Sequence, residues 1–180
     1  MSVSQLENQS PTLSPPTLLP WYVIRVRTRA ELKVADALRT KGFEVFCPTF
    51  IEARQYSNRI KNAEVALFGG YTFCRLDPQF TLPIVSTPGV QDIVGFGTGP
   101  TAVPEVDIKN IQRVVSKTGV AIPWPYLKSG QRVRISVGSM KGVEGILINH
   151  KGTDQLVISI EMLQRSIALE VERSWVQPVL

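Results

Sequence analysis

Two cysteines, Cys47 and Cys74, and one histidine, His150, are the residues best equipped for covalent or metal chemistry. A Cys–His nucleophile would need one of the thiols to meet the imidazole in space, and nothing in the spacing requires that. The thiols stand singly, with no C-x-x-C pair and no clustered histidine, whereas a zinc site draws on four close ligands. They read as small buried apolar groups. No carboxylate pair, metal cluster or phosphate-cradling loop stands out. The expectation is a protein that is not an enzyme, with no catalytic residue, no metal and no cofactor.

The residues that could bind are better organised. Residues 67–75 read LFGGYTFCR. In a strand, residues two apart share a face, so Tyr71 and Phe73 lie side by side. Such rings can stack on bases, fill a core or anchor a protein partner. An RNA-recognition strand would place a basic residue, Gly, Phe/Tyr, Gly/Ala, Phe, Val, any residue and Phe/Tyr in order. Here Gly70, Tyr71 and Phe73 match; Gly69, Thr72 and Leu76 do not. A second group is cationic: Arg25, Arg27, Arg29 and Lys33 cluster in a short segment. It is either a solvated face or a contact for a polyanion. The formal charge of +5 permits the latter without requiring it.

These groups must be held by a scaffold. At 180 residues and 43% hydrophobic content, the chain can form one large or two small domains with a real core. No apolar run reaches the ~20 residues that span a bilayer. No basic start followed by an apolar block suggests export, so a cytoplasmic protein without membrane contact is expected. Residues 1–19 lack Lys and Arg, are rich in Ser, Thr, Gln and Pro, and read as a disordered tail. The segment WYVIRVRT is a strand whose Tyr22, Ile24 and Val26 form an apolar face. Thr28 and Glu31 have capping-box spacing before a helix that buries Val34, Ala35 and Leu38 and stops at Gly42. FEVFCP is a second strand. Residues 51–66, with Arg54, Arg59 and Lys61, read as a loop or protruding hairpin. After the ALFGGYTFCRL strand, Pro88-Gly89 marks a turn, and a short strand covers Ile93 and Val94. Pro104 opens a helix with Ile108, Ile111 and Val115 on its apolar stripe. Strand, helix, three strands and helix describe an α/β sandwich of ferredoxin-like layout over residues 20–117.

Residues 118–126 carry two prolines around Trp124 and read as a semi-rigid linker. Beyond them the apolar period becomes two: Val133, Ile135 and Val137; Ile146 and Ile148; Leu156, Ile158 and Ile160; Ile167, Leu169 and Val171. Glycines punctuate the runs, which predicts a small β-barrel over residues 127–180. The fold class is therefore α+β.

Taken in order, WYVIRVRTRAE, LFGGYTFCR, STPGVQDIVGFG, PTAVPEVDI, LKSGQRVRISVGSMKGVEGIL and ISIEMLQRSIALEVERSWVQPV resemble the NusG family of transcription elongation factors. The resemblance covers residues 20–180. Gly69 departs from the family's F-P-G-Y signature, where a proline stands. The connection VGFGTGPTAVPEVDI is similar to that of specialised, RfaH-like paralogues.

The resemblance implies an N-terminal NGN domain and a C-terminal SH3-like KOW barrel. It implies that the NGN domain grips the clamp helices of RNA polymerase through Arg25, Phe68, Tyr71, Phe73, Phe96, Ile108 and Ile111, and suppresses pausing and termination. It implies contact between Arg27, Arg29, Lys33 and Thr87 and the non-template DNA strand. The barrel would recruit the termination factor Rho or a small-subunit ribosomal protein, and the chain would act as a monomer in the cytoplasm, at the nucleoid. Glu161, Met162, Leu163, Gln164 and Arg165 are helix formers, and an RfaH-like helical state of the barrel region is the alternative fold. KOW motifs also occur in ribosomal proteins, so an RNA- or ribosome-binding module is the competing function.

Overall fold

The computed structural model describes residues 18–56, 59–118, 121–126 and 130–179. The expected tail lies outside these as far as residue 17. In chain order the first module runs β1 (Trp21–Val26), α1 (Glu31–Thr40), β2 (Val45–Phe46), β3 (Thr49–Tyr56), β4 (Arg59–Ala66), β5 (Tyr71–Arg75) and α2 (Leu82–Val85). It continues with β6 (Val90–Ile93), β7 (Gly95–Phe96), β8 (Gly99–Pro100), β9 (Ala102–Val103) and α3 (Glu105–Thr118). The second runs β10 (Ile122–Pro125), β11 (Gln131–Ile135), β12 (Glu144–His150), β13 (Thr153–Ile160), β14 (Arg165–Glu170) and β15 (Val176–Pro178).

β1 lies inside the first sheet, antiparallel to β5 on one side and to β6 and β9 on the other. Its alternation sends side chains into two separate cores. Trp21 and Val23 join Phe68, Phe73, Ile108, Ile111 and Val114 on the α3 side. Tyr22, Ile24 and Val26 join Val34, Leu38, Cys74 and Ile84 on the α1 side. Both faces of β1 are therefore apolar, apart from exposed Arg25.

The capping box is not made. Ala30 is the N-cap of α1, and no side chain caps the helix. Glu31 is instead buried, and its Oε1 accepts the Gly70 amide at 2.6 Å. The carboxylate ties the helix to a distant turn rather than to its own first residues. At the other end the expectation holds. Gly42 has φ +89°, and the amides of Gly42 and Phe43 reach the carbonyls of Arg39 and Leu38, a Schellman closure.

β3 and β4 form a hairpin of eight facing pairs that joins neither larger sheet. The expected linker is the largest difference from the sequence reading. Ile122–Pro125 pairs with β14 as an edge strand of the barrel sheet, whose order is β10-β14-β13-β12-β11-β15. An edge strand tolerates Pro123 and Pro125 because one of its sides needs no amide donors. The helix formers at 161–165 give a single 3₁₀ turn, Glu161–Leu163, before β14 begins. Ile160, Ile167 and Leu169 are buried on the barrel side of that turn, and this packing outweighs helix propensity.

Arg75 ties the first module together. It is 9% exposed, and its guanidinium donates to the Leu19 carbonyl at 2.6 Å and to Glu105 at 2.8 Å. Its Nε lies 3.0 Å from Glu44, and its carbon stands 4.5 Å above the Trp21 ring. One cation thus joins the entry to β1, the entry to β2 and the start of α3. The hydrogen bond from Arg75 holds the Glu105 carboxyl below its ordinary 4.5, against the opposing effect of its partial burial. A carboxyl depressed in the fold stabilises above the unfolded value, and that contribution disappears as pH falls through the folded one. Glu105→Gln is expected to cost about 1 kcal/mol at pH 7, a modest figure because Glu105 is partly exposed, and less at pH 3. Urea unfolding of both proteins at the two pH values checks this.

Candidate functional site

The turn before β5 shapes the candidate surface. The Tyr71 amide donates to the Phe68 carbonyl at 2.9 Å, closing a four-residue turn over Gly69 and Gly70. Gly70 has φ +84°, while Gly69 does not lie in the left-handed region. This is the pattern of a type II turn, whose third position wants glycine and whose second suits proline. Two further bonds fix it: Gly70 to Glu31, and the Val26 amide to the Gly70 carbonyl at 2.8 Å. The glycine at position 69 therefore does not leave the turn loose.

Beyond the turn the rings divide. Phe73 meets Phe68 edge-on at 5.5 Å and stacks with Phe46 at 6.0 Å, and Phe46 meets Trp21 at 6.5 Å. Phe68 is 1% exposed, and Phe73, Ile108 and Ile111 are 0%. These four, expected on a polymerase-binding surface, belong to the core. The reason is the position of β5 between β1 and β2, with α3 laid across the same face. Strand alternation reveals a shared face but not how much of it a helix covers. With the rings buried, stacking on RNA bases is unavailable as well.

Three of the expected residues remain accessible. Tyr71 is half-buried, and the register places it directly opposite Arg25, which stands opposite Asp92 on β6. Facing residues share a face, so Tyr71, Arg25 and Asp92 make a row across three strands on the α3 side of the sheet. Arg25 and Asp92 pair at 3.4 Å with more than half of each side chain in solvent, a contact too wet to be worth much in stability. Asp92 was not foreseen; its pairing depends on sheet order, which local sequence does not contain. Phe96 is 67% exposed. It stands at a groove of about 450 Å³ walled by Val103, Pro104 and Asp107 on one side and Ile160 and Met162 of the barrel on the other.

The cationic residues sit on the β1–α1 turn and, for Lys33, in the first turn of α1. Arg27, Arg29 and Lys33 are all exposed. The Arg27 amide donates to the Gly89 carbonyl at 2.9 Å, and the Ala30 amide returns to the Arg27 carbonyl at 2.9 Å. Arg29 holds φ +69°, a left-handed conformation that costs a side-chain-bearing residue on the order of 1–2 kcal/mol. Thr87 does not join them. It is 2% exposed, its hydroxyl donates to the Pro83 carbonyl at 2.9 Å and it accepts Lys41 Nζ at 2.7 Å. The turn after α2 folds its hydroxyl inward against the end of α1, so the expectation of nucleic-acid contact at Thr87 is corrected.

The thiols are chemically quiet. Burial pushes Cys47 up to about 11, partly opposed by a hydrogen bond with Thr72, and burial pushes Cys74 up to about 12. Both stay protonated at neutral pH, which leaves neither a nucleophile. His150 is exposed on the barrel, edge-on to Trp124 at 5.1 Å. Among the described residues no group of His, Cys, Asp and Glu could hold a metal ion. No helix among them is long and apolar enough to cross a membrane.

Known proteins give the family. The family model described as transcription termination factor nusG matches residues 19–112. The transcription termination/antitermination protein NusG of Helicobacter pylori is 25% identical over 180 residues, covering 91% of this chain and 100% of the relative. That of Campylobacter jejuni is 26% identical over 172 residues, covering 89% and 97%. A solved structure of Thermotoga maritima NusG, described as showing domain interaction in that protein, aligns with TM-score 0.52 at 20% identity, over 89% of this chain and 97% of that one.

Two substitutions test the turns. A side chain at Gly69 would meet nothing within 4 Å, so Gly69→Pro is expected to stabilise by roughly 0.4–1 kcal/mol through the unfolded chain. Arg29→Gly is expected to stabilise by up to about 1 kcal/mol by relieving the left-handed backbone. Denaturant midpoints at constant slope measure both.

Proposed function

The chain belongs to the NusG family of transcription termination/antitermination factors, and we propose that it regulates elongation by docking its first domain on RNA polymerase. The observation that carries this reading is the accessible row of Tyr71, Arg25 and Asp92 beside a rigid turn. Tyr71 offers an apolar ring with a polar tip, and Arg25 a cation whose partner is weakly held, a pairing well suited to a helical clamp element. The buried rings of Phe68 and Phe73, with Ile108 and Ile111, do not touch the partner; they hold the row flat and in register. Phe96 adds an apolar contact at the rim of the sheet.

Docking that favours a closed clamp shifts the enzyme away from pauses that need opening. A bias of about 1.4 kcal/mol changes that equilibrium tenfold. The Arg27, Arg29 and Lys33 turn meets the non-template DNA strand, where phosphate contacts give affinity and base contacts give specificity. The barrel recruits a second partner, Rho or a small-subunit ribosomal protein. The protein acts in the cytoplasm as a specialised, RfaH-like member of the family.

The full-length chain carrying Tyr71→Ala with Arg25→Glu is the test, in a pull-down with core RNA polymerase. Both side chains reach solvent, so folding should be retained, as circular dichroism would check. Polymerase binding is expected to fall at least tenfold. Undiminished polymerase binding sinks the proposal, and a loss confined to free RNA would favour an RNA-binding module.

A further inference from the structure

The turn that ends at Tyr71 cannot choose its own shape. Its two inner residues are Gly69 and Gly70. Type I and type II turns keep their ends nearly in place and differ by a half-rotation of the peptide between the two inner residues. Type I asks for a negative φ at the third residue and type II for a positive one, and glycine takes either readily. A proline at position 69 would remove part of that freedom by fixing φ, and a glycine stands there instead. Packing does not choose either. A side-chain carbon at Gly69 would meet nothing within 4 Å, and one at Gly70 only the Val26 carbonyl, at 3.8 Å.

The choice is made from outside. The peptide that rotates carries the Gly70 amide, and that amide is the one Glu31 Oε1 accepts at 2.6 Å. A type I turn would swing the amide away and bring the Gly69 carbonyl towards the same carboxylate, oxygen against oxygen. Glu31 thus favours one form by a charge-assisted bond and disfavours the other by repulsion. Its anchorage is firm. It is the buried first residue of α1, on a helix whose Val34 and Leu38 belong to the core. Tyr71 comes next after the turn and is the first residue of β5. Strand pairing therefore orders it from one side only, and the turn must order it from the other.

We propose that Glu31 is a positioning residue for polymerase docking: by locking the Gly69–Gly70 peptide in its type II orientation, it sets Tyr71 beside Arg25 before the partner arrives. The inference rests on the docking reading above. Buried Glu31 does not itself reach the partner; its effect passes through Tyr71. A partner that needs the ordered turn binds with an affinity reduced by the fraction of molecules that have it.

Two mild substitutions separate this role from a role of the charge at the start of α1. Glu31→Asp keeps the charge that suits a helix start but is one methylene short of the 2.6 Å bond. Glu31→Gln loses the charge and keeps an acceptor oxygen at the same reach. The full-length parent and both variants are titrated against core RNA polymerase, the Gly70 and Tyr71 amide signals are followed by NMR, and urea midpoints confirm folding. Glu31→Asp is expected to weaken polymerase binding about fivefold and to broaden or double both amide signals. Glu31→Gln should stay within about twofold of the parent, with single signals. In a Tyr71→Ala background the Asp and Gln variants should bind alike, because non-additivity marks a residue that acts through another. The proposal is overturned if Glu31→Asp keeps the parent's affinity and single signals, or loses the same factor in the Tyr71→Ala background. It is equally overturned if Glu31→Gln is the weaker binder, as an effect of charge at the helix start would make it. A parent that does not bind polymerase sinks the docking reading and this inference with it. A parent that binds, with both variants binding equally well, sinks this inference alone.

Discussion

The first module depends on β1 being apolar on both faces. A strand with one greasy face can sit at the surface of a two-layer fold; β1 cannot. Trp21 and Val23 must be covered on one side and Tyr22, Ile24 and Val26 on the other, so a helix is needed on each face. Burying five such side chains is worth roughly 1.5–3 kcal/mol each, more than local hydrogen bonding in so short a strand could supply. Its neighbours follow from this placement: β5 and β6 must flank it, and α1 and α3 must cover it. Arg75 then fixes the third layer by holding the first residue of α3 to the end of β5.

That arrangement also decides which residues can meet a partner. Position along β5 matters more than residue type. Tyr71 and Phe73 share a face, yet Phe73 is fully buried against Phe68 while Tyr71, the first residue of β5, is half-buried. The buried rings and the accessible row are therefore two parts of one device. The core gives stiffness, and the turn at Gly69 and Gly70 carries that stiffness to the surface through Glu31. A carboxylate buried to hold one amide is costly unless its bond is kept, so the turn and α1 should hold their positions together.

Much of this was legible in the residues. The period of β1, the glycine stop of α1, the cationic cluster and the change to period two beyond residue 127 all reflect local rules that a short window contains. The turn chemistry was partly legible, since glycine at position 70 signals a left-handed backbone. Burial of Thr87 was not, because it depends on the distant element packed against it, and the apolar stripe that holds Ile108 did not say whether a core or a partner would cover it. Glu31 shows the limit well: its spacing from Thr28 fits a capping box, but the Gly70 amide, 39 residues away, takes its oxygen. The prolines around Trp124 misled in the opposite direction. They do disfavour an interior strand, yet an edge strand was open to them.

The contact between the modules has a different character from either core. Apolar residues of α3 and of the barrel run together in one cluster, and Arg113 donates to the Lys141 carbonyl at 2.9 Å. Yet Asp107 lines the groove at Phe96, and burial pushes its carboxyl above the ordinary range. A carboxyl raised by burial costs the fold some stability while it is charged. Placed in the first turn of α3, Asp107 is favourable to the helix dipole and unfavourable to the packing above it. The same residue thus helps to begin the helix whose apolar stripe joins the first module to the barrel in one cluster.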